Sequence, residues 1–295
     1  MCSADAQLFQ VGLDMAQVIN TNIMSLNTQR SLGLSQDLMQ LSLERLSTGL
    51  RINRAKDDAA GLALSETLTM QIKGLEQAVR NANDGISLLQ TAEGALSEVN
   101  DALQRMRELA TQASNGTYNS NDRASLHSEF DELRAEIIRI SDVTEFNDMN
   151  LLGTTGSVSL QVGWENGANN RITIGRIDIA TASYGAGGIA NALSAINDIS
   201  TQASASAVMS LMSTAIDKIS LLRSDFGAIQ NRLESAVRNM ENVDENITAA
   251  RSRILDSDFA TETANFTKAQ IIQQAGTAML AQANLSPQNV FSLLN

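Results

Sequence analysis

Few stretches of this sequence combine residue types and spacings that could support chemistry. Residues 185–190, GAGGIA, fit a loose form of the glycine-rich fingerprint that holds the pyrophosphate of a dinucleotide. That site requires a parallel βαβ unit and an acidic residue about 20 positions further along the chain. Here the preceding sequence is typical of a hairpin and the following sequence of a coiled-coil helix, so we expect no nucleotide and no other cofactor.

The single histidine and the single cysteine have no evident chemical partners in the sequence. His127 lacks a histidine or cysteine cluster for metal binding and a nucleophile at a suggestive spacing, so we expect it on the surface. Cys2 can form neither an internal disulfide nor a cysteine-based metal cage. The sequence therefore predicts no metal site and no enzyme.

Charged residues concentrate in GLRINRAKDDAAG, residues 49–61. Gly49 suits the C-cap of one helix, and Asp57 or Asp58 suits the N-cap of the next. One interpretation is a capped, solvated loop, whose ion pairs contribute only about 0–1 kcal/mol each. The other is an electrostatic joint between subunits, formed by Arg51, Arg54, Lys56, Asp57 and Asp58.

Composition favours long helices and disfavours two classes of partner. The 295 residues include one proline, a residue that costs about 3 kcal/mol inside a helix. A net charge of −12 and 3% aromatic residues argue against nucleic acid, since phosphates need clustered Lys and Arg and bases need aromatic surfaces. We expect no membrane span, because no run of about 18 apolar residues is visible, and no cleaved leader in residues 1–14.

Two long series of apolar residues recur at alternating steps of four and three. From Val208 to Ile254 every member is apolar, and from Leu68 to Ala113 only Glu93 is polar. Both series exceed the three or four heptads that indicate a coiled coil. After a break at 113–122, where we expect Gly116 to stop one helix and Ser120 or Asn121 to cap the next, a third helix carries Leu126, Phe130, Leu133, Ile137 and Ile140 on one face.

The middle of the chain changes to a period of two. SVSLQVG (157–163) and RITIGRIDI (171–179) alternate as strands do, and WENGANN (164–170) supplies an Asn-Gly turn signal. TASYGAGGIAN (181–191) is expected to be a loop. Because this region joins two helical segments of matched length, the rods should be antiparallel, which brings residues near 50 and near 257 together.

The terminal arms are apolar where an exposed end is normally charged. Residues 15–43 carry only Arg30 and Asp37, and residues 267–295 only Lys268. Frayed helices are one interpretation, but disordered tails are typically charged and poor in Leu, Ile and Phe. We therefore expect other copies of the chain to cover these arms, and a contact that does not close into a ring builds a helical filament. The predicted contact residues are Ile23, Leu26, Leu34, Leu38, Leu41, Phe259, Phe266, Ile272, Met279, Leu285, Val290, Phe291 and Leu294.

These patterns predict a mainly α fold. It consists of long antiparallel coiled-coil rods with a small β-hairpin region, and the terminal helices pair into a second coiled coil. Ser286-Pro287 is expected to open a last short helix. The predicted division is an N-terminal extension at 1–14, an arm coiled coil at 15–48 and 257–295, a rod domain at 49–144 and 190–256, and a hairpin with an outward loop at 145–189.

Several motifs resemble bacterial flagellin. The N-terminal half is represented by MAQVINTNIMSLNTQRSL (15–32), RLSTGLRINRAKDDAAGLALSE (45–66), NANDGISLLQTAEGALSEV (81–99) and QRMRELATQASNGT (104–117). The C-terminal half is represented by DFGAIQNRLESAV (225–237), ARSRILDSDFATE (250–262) and QANLSPQNVFSLL (282–294). The large outer domains of longer flagellins are missing, and residues 1–14 depart from the family pattern, whose members usually begin near Met15.

The resemblance implies a structural subunit that polymerises into the extracellular flagellar filament and serves swimming motility. The arms would form an inner tube, the rods an outer wall, and the middle would face outward. It also implies export of the unfolded chain by the flagellar type III apparatus, with an export chaperone on the C-terminal arm and with filament cap and junction proteins as partners. The match to the family's linker favours the inter-subunit interpretation of residues 49–61.

The resemblance further implies recognition by the host's flagellin-sensing Toll-like receptor. Arg105, Leu109, Gln112 and Glu129 match positions through which immunostimulatory flagellins contact that receptor. These residues also suit filament packing, in which case the receptor reads a surface that serves assembly. A different class, the helical hairpin of a chemoreceptor, would need membrane helices or an input domain, and the sequence shows neither.

Overall fold

The computed structural model describes residues 21–179 and 198–292, and for residues 286–292 it describes the backbone alone. Within these ranges five α-helices dominate: α1 (Ile23–Thr48), α2 (Ala59–Ala113), α3 (Ser120–Val143), α4 (Gln202–Leu255) and α5 (Phe259–Ser292). Two antiparallel pairs of strands accompany them: β1 (Glu145–Phe146) with β2 (Met149–Asn150), and β3 (Gly156–Gln161) with β4 (Arg171–Arg176). The predicted mainly α fold is confirmed.

Contacts divide the described chain into two units. The arm unit comprises the described residues up to Glu66 together with those from Arg251 onward, and the rod unit comprises Thr67–Ala250. The arm unit holds α1 and α5, which pack side by side. The rod unit holds α3, all four strands and most of α2 and α4.

The core of the rod unit follows the predicted seams of α2 and α4. Its buried members include Leu75, Ala82, Leu89, Leu96, Leu103 and Met106 from α2, and Val208, Met212, Ile219, Phe226, Leu233 and Met240 from α4. The one polar seam residue, Glu93, faces two partners on α4: its carboxylate lies 3.7 Å from the Arg223 guanidinium and accepts a 3.4 Å hydrogen bond from Gln230. The one charged residue of the α2 seam is therefore partnered by two polar side chains of α4.

Helix α3 folds back antiparallel on α2. Arg123, near its start, donates to the Ala113 carbonyl at 2.9 Å, and Glu129 further along pairs with Arg105, so the partners run in opposite directions. Two expected boundaries are wrong. Asn119 caps α3 through a capping box with Asp122, in place of Ser120 or Asn121, and α2 ends at Ala113, before Gly116. The Arg123 guanidinium donates to the carbonyl of Ala113, the last residue of α2, and to that of Asn115 just beyond it, which removes the need for a glycine stop.

The β3–β4 hairpin is present as predicted, but its turn is not a two-residue Asn-Gly turn. Residues 162–170 form a longer connection, closed by a 2.8 Å bond from the Val162 amide to the Asn170 carbonyl and by Gln161, whose amide donates to Gly163 and Glu165. A second hairpin, β1–β2, was not predicted. Its turn residues Asn147 and Asp148 adopt φ of 50° and 60°, the left-handed values of a type I′ turn.

Helix α4 includes an 18-residue window of mean hydropathy 1.2, enough by length and composition to cross a bilayer. The core helix of a protein without a membrane span passes the same test, and this helix buries its apolar seam in the rod unit. Residues 180–197, which include the GAGGIA stretch and the whole of the expected loop at 181–191, lie outside the described residues.

Candidate assembly surface

The arm unit is closed at one end by a short bridge between its two chain segments. Helix α1 ends at Gly49, whose φ of 73° is the left-handed conformation that glycine adopts without strain, and whose amide donates to the Arg45 carbonyl. Leu50 then pairs with Asp256, and the Ser257 amide donates to the Gly49 carbonyl at 2.9 Å. The segments near residues 50 and 257 therefore lie together, in agreement with the antiparallel arrangement.

Helix α5 starts from Asp258. Its carboxylate accepts hydrogen bonds from the Thr261 hydroxyl at 2.8 Å and from the Ala260 amide at 2.9 Å. These donors, the Thr261 hydroxyl first, hold the pKa of Asp258 below its ordinary value because they stabilise the charged form. A charged carboxylate at this position also suits the positive end of the helix dipole.

The seam between α1 and α5 is small and polar. On α1 the buried residues are Ser25, Ser35 and Ser42, and on α5 they are Glu262, Ala269 and Ala283. Ser35 donates to the Ala269 carbonyl at 3.0 Å, and Ser25 donates to Asn284 at 2.8 Å. Small side chains let the two backbones approach, so hydrogen bonds and close packing take the place of a leucine core.

Many large apolar side chains of both helices point away from this seam, while Leu32, Phe266 and Leu280 are half-buried. Leu34 and Leu38 on α1 are 61% and 58% exposed, and Ile271 and Met279 on α5 are 60% and 59% exposed. Leucine and isoleucine are ordinarily among the most buried residue types. An arm pair with serine inside and leucine outside has its main hydrophobic surface available to another molecule.

The predicted contact residues fall into three groups. Exposed are Ile23, Leu26, Leu34, Leu38, Phe259, Ile272, Met279 and Leu285, and half-buried are Leu41 and Phe266. The side chains of Val290 and Phe291, and the whole of Leu294, lie outside the description. The prediction missed Met24, Leu43 and Ile271, which are also exposed; Met24 and Ile271 are sequence neighbours of the predicted Ile23 and Ile272.

One face of α5 carries an apolar groove of about 890 Å³, lined by Phe259, Thr263, Lys268, Ile271 and Ile272 among others. The Phe259 and Ile271 side chains are the largest exposed apolar groups in it. This groove extends the exposed apolar surface along the first half of the helix.

The expected last short helix does not exist as a separate element, because α5 runs unbroken through Pro287 to Ser292. Proline has no amide hydrogen, so the carbonyl four residues earlier, that of Ala283, lacks its helical donor. The side chain of Asn22 supplies one, donating to the Ala283 carbonyl at 2.7 Å. The same side chain caps α1 by accepting from the Ser25 amide.

The charged segment at 49–61 makes mainly local contacts. Arg54 pairs with Glu44 at 2.7 Å, and the Arg51 guanidinium donates to the Ile254 carbonyl. Burial raises the pKa of Asp57, but the bonds that its carboxylate accepts from the Arg54 and Asn53 amides, together with the charges of Lys56 and Arg45, outweigh this effect and leave the pKa below its ordinary value. Asp58 caps α2 by accepting from the Gly61 amide at 2.9 Å, and Lys56 is exposed.

A second polar surface lies on the rod unit, where α2 faces α3. Arg105 lies 2.8 Å from Glu129, and this bond, followed by one to Glu108, raises the pKa of Arg105. Gln112 is exposed and donates to the Tyr118 hydroxyl at 2.9 Å. Leu109 differs from expectation: it is 0% exposed and lies in the core, where it supports the helix face.

Metal-binding chemistry has no support among the described residues, where no group of three acidic, histidine or cysteine side chains is arranged around a common point. His127 is half-buried, where the surface was expected, and lies 3.4 Å from Asp131. The features that stand out are therefore surfaces for contact with other proteins.

Comparison with known proteins finds related sequences over most of the chain. Residues 19–157 match the bacterial flagellin N-terminal helical region, and residues 209–294 match the bacterial flagellin C-terminal helical region. The chain is 47% identical over 278 residues to a flagellin of Halalkalibacterium halodurans, and 44% identical over 301 residues to a flagellin of Bacillus subtilis. Each match covers 94% of this chain and 99% of the relative. A putative flagellar hook-associated protein from Vibrio parahaemolyticus has a similar fold, with a TM-score of 0.57 at 15% identity over 68% of this chain and 100% of that one.

Proposed function

Because the chain belongs to the bacterial flagellin family and is therefore a structural subunit of the extracellular flagellar filament, we propose that the exposed apolar surface of the arm unit joins its copies. The supporting observation is the burial pattern of α1 and α5: serines are buried between the two helices, while Leu34, Leu38, Ile271 and Met279 are exposed. In the filament the arms, at 15–48 and 257–295, form the inner coiled-coil layer. The rods, at 49–144 and 190–256, surround it, and residues 145–189 face outward.

Replacing Leu34 and Leu38 together by serine tests this role. Both side chains are mostly exposed, so the circular dichroism of the monomer should not change. In the filament each leucine would lose about 1–2 kcal/mol of burial, so the critical concentration for polymerisation should rise at least about thirtyfold. The matched control replaces both leucines by methionine, which retains the apolar volume and should polymerise normally. Unimpaired polymerisation of the serine variant would refute the proposed contact.

The end of the C-terminal arm is proposed to belong to the same contact. Deleting residues 282–295 should leave a folded helical monomer that cannot polymerise, because the rod core lies outside the deleted segment. Electron microscopy after seeding distinguishes tubes of uniform width from isolated rods. Normal filaments from the deleted chain would contradict the role of this segment.

For the charged segment at 49–61 we propose an inter-subunit contact through fewer residues than the sequence indicated. Local bonds already engage Arg51, Arg54, Asp57 and Asp58. A contact with a neighbouring subunit through the exposed Lys56 is tested by Lys56→Glu. This change should slow polymerisation and leave the monomer fold intact. An unchanged assembly rate would mean that residues 49–61 only cap helices and make no contact with a neighbouring subunit.

The export route follows from family membership and is proposed on that basis. The chain leaves the cell unfolded through the flagellar type III apparatus, with an export chaperone on the C-terminal arm and with cap and junction proteins at the filament. The exposed groove on α5 supports a chaperone contact, since it would promote aggregation in the cytosol. N-terminal sequencing of secreted protein should find a start at Met1 or Met15, and a start created by cleavage further along would overturn the leaderless route.

We propose that the flagellin-sensing Toll-like receptor recognises the monomer through Arg105, Gln112 and Glu129, which are all exposed, with Arg105 and Glu129 joined by an ion pair. Leu109 is buried and contributes support for this surface without direct contact. In reporter cells that express the receptor, Arg105→Ala should reduce signalling. Arg139→Ala is the matched control, because it removes another exposed ion pair, to Glu136, on α3. Equal responses from the two variants would contradict the proposed contact.

A further inference from the structure

We infer that the Arg45–Glu262 ion pair and the Asn22–Ala283 hydrogen bond, together with the backbone bridge at Leu50–Asp256, fix the axial register of α1 against α5. Glu262 is 6% exposed and its carboxylate lies 3.7 Å from the Arg45 guanidinium. At the opposite end of the pair, the Asn22 amide donates to the Ala283 carbonyl at 2.7 Å. The two contacts bracket the seam and both join residues that are far apart in the sequence.

The small residues of the seam cannot by themselves select this register. The positions of α5 that contact or are shielded by α1 include Glu262, Ala269, Gly276 and Ala283, which follow one another at a spacing of seven, and the half-buried Phe266, Gln273 and Leu280 recur between them at the same spacing. Gly276 faces Leu32. A slip of α1 by one heptad, about 10 Å along the axis, would again set small side chains against serines. Packing along the seam therefore distinguishes the two alignments weakly, and the selection falls to the bridge at Leu50–Asp256, which a slip would break, and to the polar contacts of the seam.

The ion pair distinguishes them strongly. In the slipped alignment Arg45 would face Ala269, and Glu262 would be left buried without its cation. An uncompensated buried charge is far more costly than a lost surface pair. A buried polar residue that fixes the register of a coiled coil is a well-supported use of such groups.

The second contact is also specific to one position. Pro287 removes the helical donor of the Ala283 carbonyl, so this carbonyl has a free lone-pair direction where neighbouring helical carbonyls are bonded. Asn22 uses its oxygen to cap α1 and its nitrogen to reach that carbonyl. A slip of one heptad would separate the two groups.

This inference rests on the proposed function, since register decides which exposed apolar side chains stand beside one another on the outer face of the arms. In the observed alignment each subunit offers its neighbours one pattern of leucine, isoleucine and methionine. The ion pair and the Asn22 bond are therefore positioning groups for the assembly surface, and the exposed side chains make the contact.

Cysteine cross-linking measures the register directly. All variants carry Cys2→Ser, and a short bismaleimide, which adds to one cysteine thiol at each end, is applied to monomers and to filaments. The pair Ser35→Cys with Ala269→Cys reports the observed register, in which the two residues are hydrogen-bonded. The pair Ser42→Cys with Ala269→Cys reports the slipped register. With Arg45 and Glu262 intact, we expect the first pair to cross-link and the second to give little product.

Glu262→Gln should lower the ratio of observed to slipped product at least about tenfold, and exchange of the two charges, Arg45→Glu with Glu262→Arg, should restore it. Arg54→Gln is the matched control, since it removes an exposed ion pair of the same unit and should leave the ratio unchanged. An unchanged ratio in Glu262→Gln overturns the inference. If that variant loses both products because the arms separate, the charge-exchanged variant decides: recovery of the observed product supports the inference, and continued loss overturns it.

Polymerisation assays on the same samples distinguish failure of the proposed apolar contact from failure of the register inference. Failure of the proposed contact appears as normal assembly of the Leu34 and Leu38 serine variant, whatever the cross-linking ratio. Failure of the register inference appears as an unchanged ratio in Glu262→Gln, whether or not filaments form.

Discussion

Replacing Gly74 by alanine should disturb the packing of the β3–β4 hairpin loop against α2, where Trp164 lies over Gly74. A Cβ atom at Gly74 would lie 2.6 Å from the Cβ and 3.3 Å from the Cα of Trp164. Since a backbone atom is involved, rotation of the tryptophan side chain cannot relieve the contact, and the loop at 162–170 must move. Overpacking of this kind costs about 1–3 kcal/mol.

Gly94 provides a matched control on the same helix, because a Cβ there meets nothing within 4 Å. Alanine is favoured over glycine inside a helix by about 1 kcal/mol. Gly94→Ala should therefore raise the Tm of the rod unit by about 2–4 °C. In Gly74→Ala the same gain is offset by overpacking, so its unfolding free energy should fall about 1–3 kcal/mol below that of Gly94→Ala.

Thermal unfolding by circular dichroism measures the difference, and Trp164, the only tryptophan, reports the loop through its fluorescence. We expect the emission to shift in Gly74→Ala and to stay unchanged in Gly94→Ala. Equal stabilisation by both substitutions, with the same emission, would refute the close packing of Trp164 against Gly74.

Three further results are expected. The pKa of Asp258 is lowered in the fold, so the stability that its carboxylate adds to the fold is present above the ordinary value of 3.8 and is lost as the pH falls through the folded value. Hydrogen exchange at the start of α5 should therefore rise in acid. Asp258→Asn should remove this rise. Asn22→Asp retains the cap but loses the donor to Ala283, which should weaken α1–α5 pairing by about 1 kcal/mol, measured from exchange at the Ser25 amide. Glu93→Gln removes a pair that is more than a third exposed, so the unfolding free energy should fall by less than about 1 kcal/mol; a much larger loss in chemical denaturation would mean that the pair is desolvated.

The rod was predictable because its large apolar residues face partners within the same chain. From Val208 to Met240 the heptad series identifies most of the buried positions of α4. The widest departure is Leu109, which the family resemblance set on a contact surface but which is buried. Residues beside the seam are buried too where a third helix packs on α2, and a two-helix pattern does not include that layer.

The faces of the arm pair were not predictable by the same rule. Hydrophobic periodicity assumes that leucine lies inside, and the arms bury Ser35 and Ala269 while Leu34 remains exposed. The uncharged, apolar composition of the arms nevertheless indicated which residues lack a cover in the single chain: Leu34, Leu38 and Met279 are predicted contacts with other copies, and all three are exposed.

Local signals failed where a distant residue completed the hydrogen bonding. Pro287 was expected to begin a helix, yet α5 continues because Asn22, remote in sequence, donates to the carbonyl that the proline leaves free. Asn119, next to the expected cap Ser120, was chosen by its capping box with Asp122. Adjacent polar residues all have capping ability, and only the three-dimensional pairing selects one.

A reconstruction of the filament by electron cryo-microscopy tests the central claim most directly. We predict that Leu34, Leu38, Ile271 and Met279 lie buried against neighbouring subunits, while Ser35 keeps its bond to Ala269 within its own chain. Finding these four side chains in solvent, or Ser35 bonded to a different subunit, would contradict the account.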